Sequence, residues 1–157
     1  MKAHQYKATI NWTGNTGTGT EHYKSYNRNY TINSNGKTQE LLGSSDPAFL
    51  GDDSRYNPEE LLLSAVSSCH MLWYLHLCAT NHILVLSYKD EATGIMDELE
   101  NGSGKFKEIT LYPEITISTK NNLKLAELLH KKANEMCFIA NSLNFKVTHQ
   151  AIISVEN

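Results

Sequence analysis

Asn57-Pro58-Glu59-Glu60-Leu61-Leu62-Leu63-Ser64-Ala65-Val66-Ser67-Ser68-Cys69-His70 opens a long helix that carries a thiol. Asn57 suits the cap. Pro58 suits the first helical position, where its missing N–H would have had no partner, and Glu60 stands three residues after the cap, where it can return a hydrogen bond. Glu59 and Glu60 also face the positive end of the helix dipole. The helix is expected to run to about Thr80 or Asn81. No Asp, Glu, Lys or Arg occurs from Leu61 to Tyr88. That length alone could span a bilayer. Ser64, Ser67, Ser68, His70, His76, Thr80, Asn81 and His82 interrupt the run, and no cluster of lysine or arginine flanks it. The pattern favours a helix buried on most sides, in a core or in a dimer.

Upstream of this helix the chain reads as strands. Tyr6 to Trp12 alternates, with Tyr6, Ala8, Ile10 and Trp12 on one side, and Arg28 to Ile32 is extended. Asn35-Gly36 is a hairpin turn signal, and Lys37 to Leu42 would be the return strand. Gly14 to Gly19 is a loop; no Gly-Lys-Ser/Thr and no helix follows it, so it is not a phosphate loop. Gly43 to Tyr56 is a polar loop. Downstream, Ile83 to Tyr88 begins a strand, Asn101 to Gly104 turns, and Phe106 to Ser118 returns, with Pro113 marking an edge position or a bulge. Asn121 or Asn122 can cap a second helix, Leu123 to about Met136, whose apolar stripe is Leu125, Leu128, Leu129, Ala133 and Met136. Cys137 falls where that helix ends, before a short turn over Phe138 to Leu143. Phe145 to Val155 closes as a strand. The order strands, helix, strands, helix, strand predicts one α+β domain over residues 1–157.

Composition narrows the function. Apolar residues make up 40% of the 157, charged residues 20%, and the formal net charge is −3. No basic footprint for nucleic acid or an anionic membrane is present. Arg28 and Arg55 are the only arginines. The first residues, Met1-Lys2-Ala3-His4-Gln5-Tyr6-Lys7, lack the apolar run of a secretory signal. Three cysteines do not make a disulfide scaffold, so a cytoplasmic location is expected, where paired cysteines are more often catalytic or metal-binding than structural.

By packing alone Cys69 reads as a small buried hydrophobe. Cys78, nine residues on, points to roughly the opposite face of the helix, so the two cannot share a local site. Cys137 differs, because a helix junction offers free backbone N–H groups that favour a thiolate. Were Cys69 and Cys137 within reach of each other, one could attack a peroxide oxygen as thiolate and become a sulfenic acid. The second would then condense with it to a disulfide. An arginine would suit such a site, since it keeps its charge and can hold a carboxylate at the same time.

The run Asn57-Pro58-Glu59-Glu60-Leu61-Leu62, then Ala65 and Ser68-Cys69, resembles the Asn-Pro-Glu-x-Leu…Cys helix of the osmotically inducible protein C and organic hydroperoxide resistance (OsmC/Ohr) family. Cys137 with Asn141-Ser142 resembles that family's second cysteine segment, and the likeness spans roughly Arg28 to the C-terminus, in the manner of the OsmC-like subgroup. It implies an α+β fold with two central helices on an antiparallel sheet, two chains intertwined as a homodimer, and a thiol peroxidase for organic hydroperoxides. It implies that Cys69 is peroxidatic and Cys137 resolving, and that Glu59 holds an arginine near the thiolate. Arg28 matches the spacing of the Ohr branch; the stretch around Phe49, where the OsmC branch carries its arginine, has none, which leaves Arg55 as the other choice. No cofactor is implied. The reductant implied is a small dithiol of the lipoyl-linked kind. Ten residues of helix is ~15 Å, so Glu59 would have to act through an arginine, across a subunit boundary, or from before the helix proper.

Other readings remain open at this stage. His76 lies seven residues after Cys69 and His130 seven before Cys137, which would put each pair on one helix face. A Cys2His2 metal site would need four ligands within reach of one ion, and ~10.5 Å along each axis is too far. His70, His76 and His130 therefore read as packing or hydrogen-bonding groups, one of which could tune a thiolate. A non-catalytic thiol sensor or ligand-binding module would use the same fold. A cysteine hydrolase with Cys69 as nucleophile would need a histidine with a partner carboxylate, which the sequence does not place. Trp73, Tyr74, Met71, Phe138 and Ile139 near the cysteines predict an apolar pocket, and so a bulky organic peroxide.

Overall fold

The computed structural model describes residues 2–156, the side chain of Asn121 excepted. Contacts divide the chain into two compact units, one running to Leu61 and the other from Leu62 onward. In the first, β1 (Thr9–Trp12), β2 (Tyr30–Asn33) and β3 (Leu41–Gly43) form an antiparallel sheet in the order β1-β2-β3. The expected hairpin turn is present: Gly36 takes φ +78°, open to a residue without Cβ, and Lys37 N–H donates to the Ser34 carbonyl at 3.1 Å. Only the last residues of the expected return strand pair. Register sets Trp12 opposite Tyr30, and Tyr30 opposite Gly43.

The first helix, α1, spans Pro58–Thr80. Its start follows the capping pattern: Glu60 N–H donates to Asn57 Oδ1 at 2.8 Å, and Asn57 N–H donates to Glu60 Oε2 at 3.1 Å. At its far end His82 adopts the left-handed conformation at φ 57°. There His82 N–H reaches the Ala79 carbonyl and Ile83 N–H reaches the Cys78 carbonyl, at 3.2 and 2.9 Å. This is the Schellman arrangement, with Ile83 packed into the same core cluster as Cys78. Its stop is thus set by backbone satisfaction rather than by a glycine. By length and composition α1 could cross a membrane. In the chain it buries one stripe at four-residue spacing, Val66, His70, Tyr74 and Cys78, rather than most of its sides.

After α1 come β4 (Val85–Asp90), β5 (Thr93–Glu98), β6 (Gly104–Leu111) and β7 (Pro113–Ile117), then α2 (Leu123–Met136), β8 (Lys146–His149) and β9 (Ile152–Val155). They make two three-stranded sheets, β4-β7-β9 and β5-β6-β8. The two long strands expected over Phe106 to Ser118 and Phe145 to Val155 each break in the middle. At Tyr112 and at Gln150-Ala151 the chain leaves one sheet for the other. Pro113 was expected at an edge or a bulge. It instead opens β7, the central strand of its sheet, where a first residue without N–H costs no ladder bond. Each sheet is mixed rather than wholly antiparallel, since β8 pairs with β6 and β9 with β7 in parallel. Two core clusters result: Tyr74, Cys78, Ile83, Ile115, Ile117, Ala126, Leu129 and Ala133, and Val66, Ile109, Leu111 and Val147. Both helices thus pack on strand residues, as an α+β fold requires.

Of the two asparagines expected to cap α2, the side chain of Asn121 lies outside the described residues. Asn122 makes no capping bond; a 3₁₀ turn over Lys120–Asn122 leads into the helix, and the Asn122 amide donates instead to the His82 carbonyl at 3.4 Å.

Candidate functional site

Cys69 faces partly to solvent from the middle of α1, on a helix held from both sides. Ser67 Oγ donates to Asp90 Oδ2 at 2.5 Å, and His70, the next residue after Cys69, is buried against α2. Cys137 is the C-cap residue of α2, in extended conformation, and is fully buried. The segment after it folds back over the helix end. Asn141 Nδ2 donates to the Glu135 carbonyl at 2.9 Å, Asn141 N–H to the Cys137 carbonyl at 3.0 Å, and Ser142 Oγ to the Phe138 carbonyl at 2.8 Å. In this way the Asn141-Ser142 pair fixes the turn that carries the Ala140 N–H to within 3.4 Å of Cys137 Sγ.

The Cys69 side chain lies close enough to Cys137 to act on its titration, and all three cysteines are free. A helix junction was expected to favour a thiolate at Cys137, and the Ala140 and Ile139 N–H groups do pull that way. Burial outweighs them, with the Cys69 thiol adding to it, and pushes Cys137 up to about 11. At neutral pH Cys137 is therefore a protonated thiol beside a more accessible one. Cys78 takes no part: it is buried in the core beside Tyr74, and burial raises its thiol too. The helical phase that separated it from Cys69 holds.

The histidines divide unequally. His76 is exposed and lies edge-on to Trp73 at 5.7 Å, while Trp73 meets the exposed Phe138 edge-on at 5.6 Å. Trp73 and Phe138 form an apolar rim next to Cys137; Tyr74, expected in the same pocket, is in the core instead. His130 pairs with His70 rather than sharing a site with Cys137, through His70 Nε2 and His130 Nδ1 at 3.1 Å. His149, which the sequence reading passed over, completes a cluster with ring centroids 5.4 and 5.7 Å from His70 and His130. Only its alternation in the last strand could have flagged it. Among the described residues no group of three or more His, Cys, Asp or Glu is arranged to hold a metal ion.

The remaining named residues lie in the first unit. Glu59 is half-buried in the first turn of α1. The Arg28 guanidinium lies over the Tyr23 and Tyr26 rings, 4.4 and 4.2 Å from their centroids, and donates to the carbonyls of the same two residues at 2.5 and 2.6 Å. Both of its terminal nitrogens are thus engaged by the loop before β2. Arg55 pairs with Asp52 at 3.4 Å. The residue whose titration responds to Glu59 is Tyr30, held above the usual phenol range first by partial burial and then by the Glu59 charge. Its ring lies over Gly43, where an added Cβ would come within 2.3 Å of two ring carbons. The sequence reading missed Tyr30; the absence of a side chain opposite it at Gly43 was the available signal.

The family model described as OsmC-like protein matches residues 51–151. An OsmC-like protein of unknown function from Vibrio cholerae has a solved structure 31% identical to this chain, with a TM-score of 0.84, covering 96% of this chain and 100% of that one. An organic hydroperoxide resistance protein from Elizabethkingia anophelis is similar at 18% identity and a TM-score of 0.69, over 99% of each chain. The organic hydroperoxide resistance protein OhrB of Bacillus subtilis is similar at 16% identity and a TM-score of 0.63, over 96% of this chain and 98% of that one. These last two likenesses are of fold. No curated protein matches the chain.

Proposed function

The chain belongs to the OsmC-like protein family, and from that premise we propose that it is a thiol peroxidase that reduces organic hydroperoxides through Cys69 and Cys137. The observation that carries the reading is the pairing of a partly exposed thiol, Cys69, with a buried one, Cys137, whose titration it influences. Cys69, as thiolate, attacks the distal peroxide oxygen. The O–O bond breaks, the sulfur becomes a sulfenic acid, and the alkoxide leaves and takes up a proton as the alcohol. Cys137 then attacks the Cys69 sulfur, the S–S bond forms, and the hydroxyl leaves as water with the Cys137 proton. A dithiol, of the small lipoyl-linked kind, reopens the disulfide by exchange. Because Cys137 is buried and protonated, it suits the second step rather than the first.

The Trp73 and Phe138 rim favours an organic peroxide with an apolar body. Arg28 and Glu59 are assigned as the cation that favours the thiolate and the carboxylate that orients it on resemblance alone; Arg55 is the alternative cation. We place the active form in the cytoplasm as a homodimer, each chain working as one functional domain. In favour of the dimer, only 22% of the most apolar stretch of α1 is buried in the single chain, and a helix so poor in charge calls for cover.

One experiment tests the reading. Fully reduced protein is mixed with cumene hydroperoxide, then denatured, and its free thiols are counted. Loss of two thiols per chain, with Cys78 still alkylatable and the disulfide mapped to Cys69 and Cys137, is the expected result. Cys69→Ser should abolish peroxide consumption. Unchanged thiol counts would sink the proposal.

A further inference from the structure

The buried side-chain atoms with no hydrogen-bond partner among the described residues are His70 Nδ1, Tyr74 Oη, Tyr88 Oη and His130 Nε2. They belong to one run of rings. Tyr88 is 6.1 Å from Tyr74, Tyr74 stacks on His130 at 3.8 Å and 12°, and His130 is 5.4 Å from His70 at 8°. With an Nε2–Nδ1 separation of 3.1 Å, near-parallel planes and that centroid distance, the two imidazoles are joined end to end by one N–H···N bond. Burial holds both neutral, His70 down to about 4 and His130 to about 3, so a single shared proton on that axis is their resting form.

The bond is placed where it can act on the thiols. His70 follows Cys69 on α1, and His130 stands seven residues, two turns, before Cys137 on α2. It joins a side chain of α1 directly to a side chain of α2. Separating the helices there would leave two further buried nitrogens unpaired beside the two already orphaned, at about 1–3 kcal/mol each. A disulfide tolerates only a narrow range of Cα separation, about 4.4–6.8 Å, whereas two thiols tolerate any. A tie that resists separation of the helices thus limits how far the reduced pair can drift apart.

We propose that the His70–His130 hydrogen bond is a positioning element for the Cys69–Cys137 pair, holding the two thiols ready to close into a disulfide. This rests on the reading of those cysteines as a reactive pair. Neither imidazole touches the peroxide. Their effect is on the equilibrium and rate of disulfide closure, which can be measured without any peroxide.

The test equilibrates the full-length protein in buffers of reduced and oxidised dithiothreitol and quantifies the Cys69–Cys137 disulfide by alkylation and mass. His70→Leu and His130→Leu keep bulk and remove the bond. His70→Gln and His130→Asn put an amide where each bonding ring nitrogen stood. The expected result is a disulfide equilibrium constant about tenfold lower in the leucine variants, a potential about 30 mV less reducing, with recovery in the amide variants. Should the leucine variants not fold, His70→Asn, too short to reach His130, supplies the same comparison. An unchanged constant in a folded variant lacking the bond, or an equal fall in the leucine and amide variants, overturns the positioning role and leaves the peroxidase reading intact. A wild-type protein that forms no Cys69–Cys137 disulfide in any buffer overturns both.

Discussion

The Asp90 carboxylate joins Ser67 on α1 to the corner between β6 and β7: one oxygen accepts Ser67 Oγ at 2.5 Å and the other accepts the Tyr112 N–H at 2.7 Å. Tyr112 is where the chain leaves one sheet for the other, and Ser67 stands two residues before Cys69. A single carboxylate thus ties the helix that carries Cys69 to the sheet switch. Hydrogen bonds to a charged group contribute about 1.5–3 kcal/mol each. Asp90→Ala should cost about 3 kcal/mol in urea unfolding with an unchanged slope, and Asp90→Asn roughly half of that. A loss under 0.5 kcal/mol in the alanine variant, a magnitude typical of a plain surface change, would show that the corner holds without Asp90.

A buried Cys137 thiol with its pKa pushed up to about 11 predicts the pH dependence of the second chemical step. The attacking species is the thiolate, whose share rises about tenfold per pH unit below that value. Closure of the Cys69 sulfenic acid to the disulfide should therefore speed up from pH 7 to pH 9. Dimedone, which captures sulfenic acids, should label Cys69 more at pH 7 than at pH 9. Cys137→Ser should label strongly at both, and should give one turnover followed by over-oxidation. Labelling of the wild type that is flat with pH contradicts the protonated state of Cys137.

Local chemistry made much of this legible in advance. Asn57, Pro58 and Glu60 set the start of α1 because a capping box is read from three residues, and the cysteine phases follow from helix geometry. The family was legible from the same residues. What lay beyond local reading was tertiary. The breaks at Tyr112 and Gln150 are changes of partner strand, and a strand pattern does not announce which sheet it joins. His70, His130 and His149 come from three elements, so their cluster exists only once α1, α2 and β8 are packed. The state of Cys137 was misjudged because its N–H groups were visible in the sequence while its burial was not.

His82 ends α1 in the left-handed conformation that glycine usually fills. A non-glycine residue pays for this by crowding its Cβ against the backbone, about 1 kcal/mol. His82 is exposed and closes the Schellman bonds with its backbone alone. His82→Gly should keep those bonds and remove the strain. Thermal unfolding of this variant should rise by a few degrees, in line with a gain of about 1 kcal/mol for a domain of this size. A fall in stability would show that the greater freedom of glycine in the unfolded chain outweighs the relief.

The buried imidazoles predict how the protein fails in acid. In the unfolded chain His70 and His130 titrate near 6.5, while in the fold they stay neutral down to about 4 and about 3. Between these limits the unfolded state binds more protons than the native state, so stability rises with pH across that window and is lost as pH falls through it. The full contribution is present above pH 6.5. Each imidazole accounts for about 3 kcal/mol by the time pH 4 is reached. His149, also lowered by burial, pulls in the same direction. Asp52 and Glu91 have folded pKa values below their ordinary ones, so their contributions are lost only at lower pH, where carboxylates take up protons. Urea midpoints measured from pH 7 to pH 4 should fall steeply in the wild type. In His130→Leu the slope over the same range should be shallower, even if the variant is less stable at pH 7. Equal slopes in the two proteins would mean that the carboxylates, and not the histidine cluster, set the acid limit.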